Sequence, residues 1–135
     1  MKLCSICGSS HLVEVHHIIF RGQAPALINC KYNLIHLCYE HHRGTYGPHG
    51  SKGHRLDKKL KKEFQDNLTL MFGLDIYYTK EQIKENLIID LKATERLVKT
   101  LLPLEGKYLG QDIIKACMGG KMIVGDKYGL QTTIR

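Results

Sequence analysis

The chain has no tryptophan and only three phenylalanines in 135 residues. Its seven tyrosines are scattered, so no aromatic platform for stacking the bases of a single strand is evident, and a role on RNA loses its usual support. Long hydrophobic runs are also missing. Stretches such as Leu87 to Leu91 are far too short and interrupted to span a bilayer, so no membrane segment is expected. The opening Met1-Lys2-Leu3-Cys4 carries no secretory pattern, and a cytoplasmic location is expected. Internal repeats and low-complexity blocks are absent. Acidic residues are few: 13 against 20 Lys and Arg, a net charge of +7 and a pI near 9.2. That balance favours an anionic partner, with nucleic acid ahead of a membrane surface. Residues 1–74 hold 10 basic and 5 acidic residues (+5) and residues 75–135 hold 10 and 8 (+2), so charge does not decide which half meets that partner.

What is present is concentrated between Cys4 and His42. The five cysteines are an odd number, and in a reducing compartment a Cys-x2-Cys pair reads as a metal site before it reads as a disulfide. Zinc takes four tetrahedral thiolate or imidazole ligands, and a spacing of two residues lets one turn supply a pair. Cys4 and Cys7 form one such pair, and Cys38 and His41 form the second. Gly8 suits the tight turn that follows the first. A chain this small gains from such a metal staple, because small domains bury little apolar surface. Cys30 and Cys117 are left as small apolar residues.

A second group of histidines lies between the two pairs. His16 and His17 are neighbours within Glu14-Val15-His16-His17-Ile18, so on a strand they face opposite sides unless a strand end relaxes the alternation. Cleaving a phosphodiester needs a cation on the scissile phosphate and a base for the attacking water, and imidazole can serve as ligand or as base. Each of these histidines taken alone reads as well as a surface or packing residue.

Together with Asn33-Leu34-Ile35-His36-Leu37-Cys38 and the closing His41-His42, the motif resembles the HNH endonuclease family, including its zinc-bearing branch. The resemblance covers about the first third of the chain. It implies an α+β protein with a ββα-metal nuclease domain: two strands, with the first histidine pair and the asparagine around their connecting loop, then a helix with the last histidine. By position it implies that His16 and His42 hold a catalytic divalent cation, that His17 is the general base, and that Asn33 holds the loop and orients that base. Cys4, Cys7, Cys38 and His41 match the family's structural zinc positions, with His41 where Cys is more usual. Adjacent His41 and His42 could exchange roles. The cation could be Mg2+, Mn2+ or another transition metal.

Ile18 to Gln23 departs from the family's usual sequence after the first motif, which leaves that loop's geometry open. His49, in Tyr46-Gly47-Pro48-His49-Gly50, is either a further histidine beside the metal or phosphate or an exposed loop residue. Arg21 and Arg43 offer forked donors to phosphate, and either also reads as a plain surface residue. His54 and Arg55 read as loop residues, with a phosphate contact as their other reading, and His11 and His36 as structural or exposed.

The remainder reads as helical. Leu56, Leu60, Phe64 and Leu68 recur every four residues from about Asp57, with Met71 and Phe72 completing the stripe and Gly73 a natural stop. Thr79 and Gln82 form a capping box for a helix burying Ile83 and Leu87. A further helix is expected from Lys92 to Leu101, ended by Pro103, with Thr94, Glu95, Arg96 and Lys99 facing outward. A basic loop at Gly106-Lys107-Tyr108 and a helix from Gln111 to Met118 follow. The pattern resembles excisionase-like winged helix-turn-helix domains, which implies DNA contacts from Arg96 and Lys99; a helical packing or dimer module is the other reading. The expected divisions are a nuclease domain at 1–55, a basic amphipathic helix at 56–74, a helix-turn-helix-like domain at 75–118 and a flexible tail at 119–135. The expected function is a metal-dependent DNA endonuclease of phage or mobile-element type, with a packaging or recombination protein as a possible partner. A non-catalytic zinc-containing DNA-binding regulator is the alternative.

Overall fold

A computed structural model describes residues 2–124. It is an α+β protein with two small antiparallel sheets and five α-helices. Strand β1 (Glu14–His17) pairs with β2 (Leu34–Leu37), with Glu14 opposite Leu37 and His17 opposite Leu34. Two apolar runs, Leu12 to Val15 and Ile18 to Phe20, are short enough in the sequence for strands, and the structure differs at both. Leu12 turns with φ 45, so the first strand starts only at Glu14. Ile18 to Phe20 form no strand, because the side chain of Asn33 takes the backbone of Ile19: Ile19 N–H donates to Oδ1 at 2.7 Å, and Nδ2 donates to the Ile19 carbonyl at 3.1 Å. One buried amide does here what a neighbouring strand would do.

Helix α1 (Tyr39–Arg43) follows β2 directly, and α2 (His54–Met71) is the longest helix. Leu60, Phe64 and Leu68 of α2 are buried, as the four-residue stripe predicts. The helix opens three residues before Asp57, so His54 and Arg55 belong to it rather than to a loop.

Beyond α2, β3 (Tyr77–Tyr78) pairs with β4 (Tyr108–Leu109) and encloses α3 (Lys80–Leu87) and α4 (Leu91–Val98), with α5 (Gly110–Cys117) last. The Thr79/Gln82 capping box is formed in both directions, and Asp90 caps α4 through Ala93 N–H at 2.7 Å. Ile88, with φ 53, makes the left-handed turn between the two helices. Leu104 and Lys107 bridge a tight turn in which Glu105 and Gly106 have φ 52 and 80. Thr94 is a correction: it is fully buried, its hydroxyl donating to the Asp90 carbonyl at 2.9 Å. Glu95, Arg96 and Lys99 are exposed. The helix stops at Val98, short of Leu101.

One cluster of buried residues runs from Cys4 to Met118, so segments on both sides of residue 75 contribute to it. Leu27, Leu37, Phe64, Phe72, Ile83 and Ile113 are at its centre, each worth about 1.5–3 kcal/mol of burial. Cys30 and Cys117 are buried within it, and Cys30 Sγ donates to the Leu87 carbonyl at 3.4 Å. Ile123 is tied to α2 through both ends of the Gln65 amide, at 2.7 and 2.8 Å. The rest of the expected tail, residues 125–135, lies outside the described residues. Among the described residues no helix is long and apolar enough to cross a membrane.

Candidate metal centres

The turn after Met1 and the start of α1 bring together Cys4, Cys7, Cys38 and His41, whose ligand atoms all lie within 4.8 Å of one another. Zinc bonds of about 2.3 Å to sulfur and about 2.0 Å to nitrogen imply tetrahedral edges of about 3.8 Å between sulfurs and about 3.6 Å from sulfur to nitrogen. The Cys7 and Cys38 sulfurs are 3.8 Å apart, and His41 Nδ1 is 3.7 Å from Cys4 Sγ and 3.3 Å from Cys38 Sγ. The donor set and its spacing fit a metal such as zinc. Ile6 N–H donates to Cys4 Sγ at 3.4 Å, and Gly8, with φ 76, turns the chain back. Burial opposes ionisation of Cys4, but N–H groups of Cys38, Cys7 and Ile6 outweigh it and bring the thiol down to about 6. The thiolate that a metal requires is therefore accessible near neutral pH.

The second cluster is His16, His42 and His49, also within 4.8 Å of one another. Strand alternation puts Glu14 and His16 on one face of β1, toward α1. Glu14 Oε1 accepts a 2.7 Å hydrogen bond from His42 Nδ1. A carboxylate there keeps the proton on Nδ1 and leaves the His42 Nε2 lone pair free for a ligand role. Arg43 binds the same carboxylate through Nε at 2.7 Å and Nη2 at 3.2 Å. The Arg43 guanidinium, then His42, holds the Glu14 carboxyl at about 2, well below the usual range.

His16 is 2% exposed, and its Nε2 has no hydrogen-bond partner among the described residues. An unpaired buried nitrogen is costly unless something binds it, and a cation between three imidazoles would. Burial first, then the neighbouring His42 and His49, lowers His16 to about 3, so its ring is neutral and its lone pair available. This cluster therefore also has the chemistry of a metal site, with three nitrogen donors and an exposed His49 on its open side.

Comparison with protein-family models, with curated proteins and with solved structures finds no match.

The ambiguity at His41 and His42 resolves geometrically. His41 joins the cysteines, and His42 joins His16 and His49. His49 is exposed and also in the trio, its ring centroid 4.7 Å from that of His42. His17 stands at the end of β1, where strand alternation relaxes, and its Nε2 lies 3.0 Å from the Ile28 carbonyl. A carbonyl only accepts, so Nε2 carries the proton and Nδ1 is left as an acceptor. Asn33 is fully buried and spends its amide on Ile19 and on the Leu27 carbonyl at 3.3 Å. It holds the loop, whereas the carbonyl of Ile28 orients His17. Arg43 is engaged with Glu14, while Arg21, Arg96 and Lys99 are exposed. His11 is exposed and His36 half-buried on β2.

Three further features build the site. Glu14 gains its role from its contact with His42. Phe20 packs edge-on to His16 and stacks on His49, with ring centroids 5.9 and 5.6 Å away. The third is a glycine at every third position: Gly44, Gly47, Gly50 and Gly53. Their N–H groups bond back in sequence, Gly47 to Gly44, Gly50 to Gly47 and Gly53 to Gly50, at 3.0, 2.8 and 3.2 Å. A Cβ at Gly50 would strike the Gly44 carbonyl, and one at Gly53 the Gly47 carbonyl. The period of three is therefore a visible signal for a coil wound too tightly for side chains, and it delivers His49 to His42. His49 N–H closes the approach by donating to the His42 carbonyl at 3.3 Å.

Proposed function

We propose that the protein is a metal-dependent endonuclease of the HNH type, hydrolysing phosphodiester bonds in DNA. The single observation that carries this reading is the open trio of His16, His42 and His49, anchored by Glu14 and standing beside a separate four-ligand Cys/His set. The order β1, β2, α1 accords with the ββα-metal arrangement that the resemblance implies. Cys4, Cys7, Cys38 and His41 hold a structural zinc. His16, His42 and His49 hold a divalent cation, which when bound supplies positive charge to the scissile phosphate and its leaving oxygen.

The chain's own residues do the rest. His17, fixed through Nε2 by the Ile28 carbonyl, receives the proton of the attacking water at Nδ1. Glu14 keeps His42 in one tautomer, and Asn33 fixes the loop that carries Ile28. The α3 and α4 pair, with the tight turn at Glu105-Gly106 as a wing, holds DNA through Arg96 and Lys99. This second module gives the regulator reading its one supporting observation, the exposed basic face of α4.

Zinc-loaded protein is incubated with supercoiled plasmid in Mg2+ or Mn2+. Cutting is expected, and His17→Ala abolishes it while keeping DNA binding and the zinc. If no divalent cation supports cutting by the intact chain while it still binds DNA, the regulator reading takes over.

A further inference from the structure

The glycine coil has a second side. Tyr46, Lys52, Arg55, Leu56 and Lys59 line a cavity of about 220 Å3 between the coil and the first turns of α2. Three of the five are cationic and none is acidic. Leu56 is half-buried and gives the cavity an apolar wall, and Tyr46 is 68% exposed, with Lys52 Nζ 6.0 Å from its ring centroid. The Lys52 N–H donates to the Thr45 carbonyl at 2.7 Å, which fixes the backbone on both sides of the tyrosine. Arg55 and Lys59 are one helical turn apart and present their charges together.

We infer that this cavity is a nucleotide subsite, taking one unpaired base on the face of Tyr46 with its phosphate on Lys52, Arg55 and Lys59. One exposed aromatic face beside clustered cations, which the scattered tyrosines of the sequence do not reveal as a stacking surface, matches an aromatic base joined to an anion. A neutral fatty ligand would make no use of the three exposed cations. The inference rests on the nuclease reading only for its purpose: the coil that delivers His49 to one side would hold a neighbouring unpaired nucleotide on the other. Binding itself is separable from cutting.

The test is fluorescence anisotropy with a labelled single-stranded oligonucleotide and the matching duplex, using zinc-loaded full-length protein without Mg2+ or Mn2+. Tyr46→Ala and Lys59→Glu each weaken single-strand binding about tenfold, Tyr46→Phe keeps it, and duplex binding changes less. A mononucleotide competes better than inorganic phosphate. Equal competition by inorganic phosphate, or unchanged single-strand binding by Tyr46→Ala with intact circular dichroism, overturns the subsite. If the subsite fails while plasmid is still cut, the nuclease reading is untouched. If Tyr46 governs binding and no cation ever supports cutting, the subsite stands and the nuclease reading falls.

Discussion

The two candidate metal clusters share α1 and differ in their donors and in their openness. The cysteine cluster offers four donors at tetrahedral spacing, which leaves a zinc ion no open position. The histidine cluster offers three nitrogen donors, a carboxylate behind one of them and an exposed face. A closed set serves stability and an open set serves chemistry, since only the latter can accept a phosphate oxygen or water.

The largest effect should come from breaking the closed set. Cys38→Ser removes a ligand that also abuts His41, so elemental analysis should show zinc lost and thermal denaturation should show the cooperative transition lost or strongly lowered. His16→Ala should leave one zinc per chain in place; loss of that zinc would show that the clusters are not separate in function.

Next comes Asn33→Ala. It strips partners from the N–H and carbonyl of Ile19, and with each buried unsatisfied group costing about 1–3 kcal/mol, urea denaturation should report a loss of about 3 kcal/mol. A loss near zero would mean that water replaces the amide.

A smaller effect separates the clusters by affinity. Glu14→Gln should weaken Mn2+ binding at the histidine trio by roughly tenfold or more, read by calorimetry, with the zinc content unchanged.

The pH response is gentler still and belongs to the open set. His16 titrates at about 3 when folded, against its ordinary 6.5, so between those values the unfolded chain binds a proton that the folded protein refuses. Its stabilising contribution is therefore present above 6.5 and is lost as pH falls toward 3. Glu14, lowered from 4.5 to about 2, acts in the same direction over a more acid window. Tm should fall from about pH 7 to about pH 5, and His16→Gln should flatten that part of the curve.

Much of this contrast could be read in the chain. The ligand pairs declare themselves because a turn fixes the spacing of Cys-x2-Cys and Cys-x2-His, and the stripe Leu56, Leu60, Phe64, Leu68 declares α2 by its period. The capping box at Thr79 was equally local. What escaped depended on contacts across the chain. Nothing near Ile18 to Phe20 shows that Asn33 will claim the backbone there; Thr94 is the local exception, its hydroxyl donating to the Asp90 carbonyl one turn back. Glu14 gains its role only when β1 faces α1. His49 reads two ways in the sequence because exposure and membership of the trio are compatible, which sequence position alone does not reveal.

His41 and His42 are consecutive residues of a five-residue helix, and each reaches a different cluster. Any rotation or displacement of α1 on filling one cluster is passed to the other through a single peptide bond. Such coupling is reciprocal: if zinc on the cysteines tightens a cation on the histidines, that cation tightens zinc by the same factor. A fully loaded molecule would then release its zinc to a chelator more slowly than one whose histidines are empty.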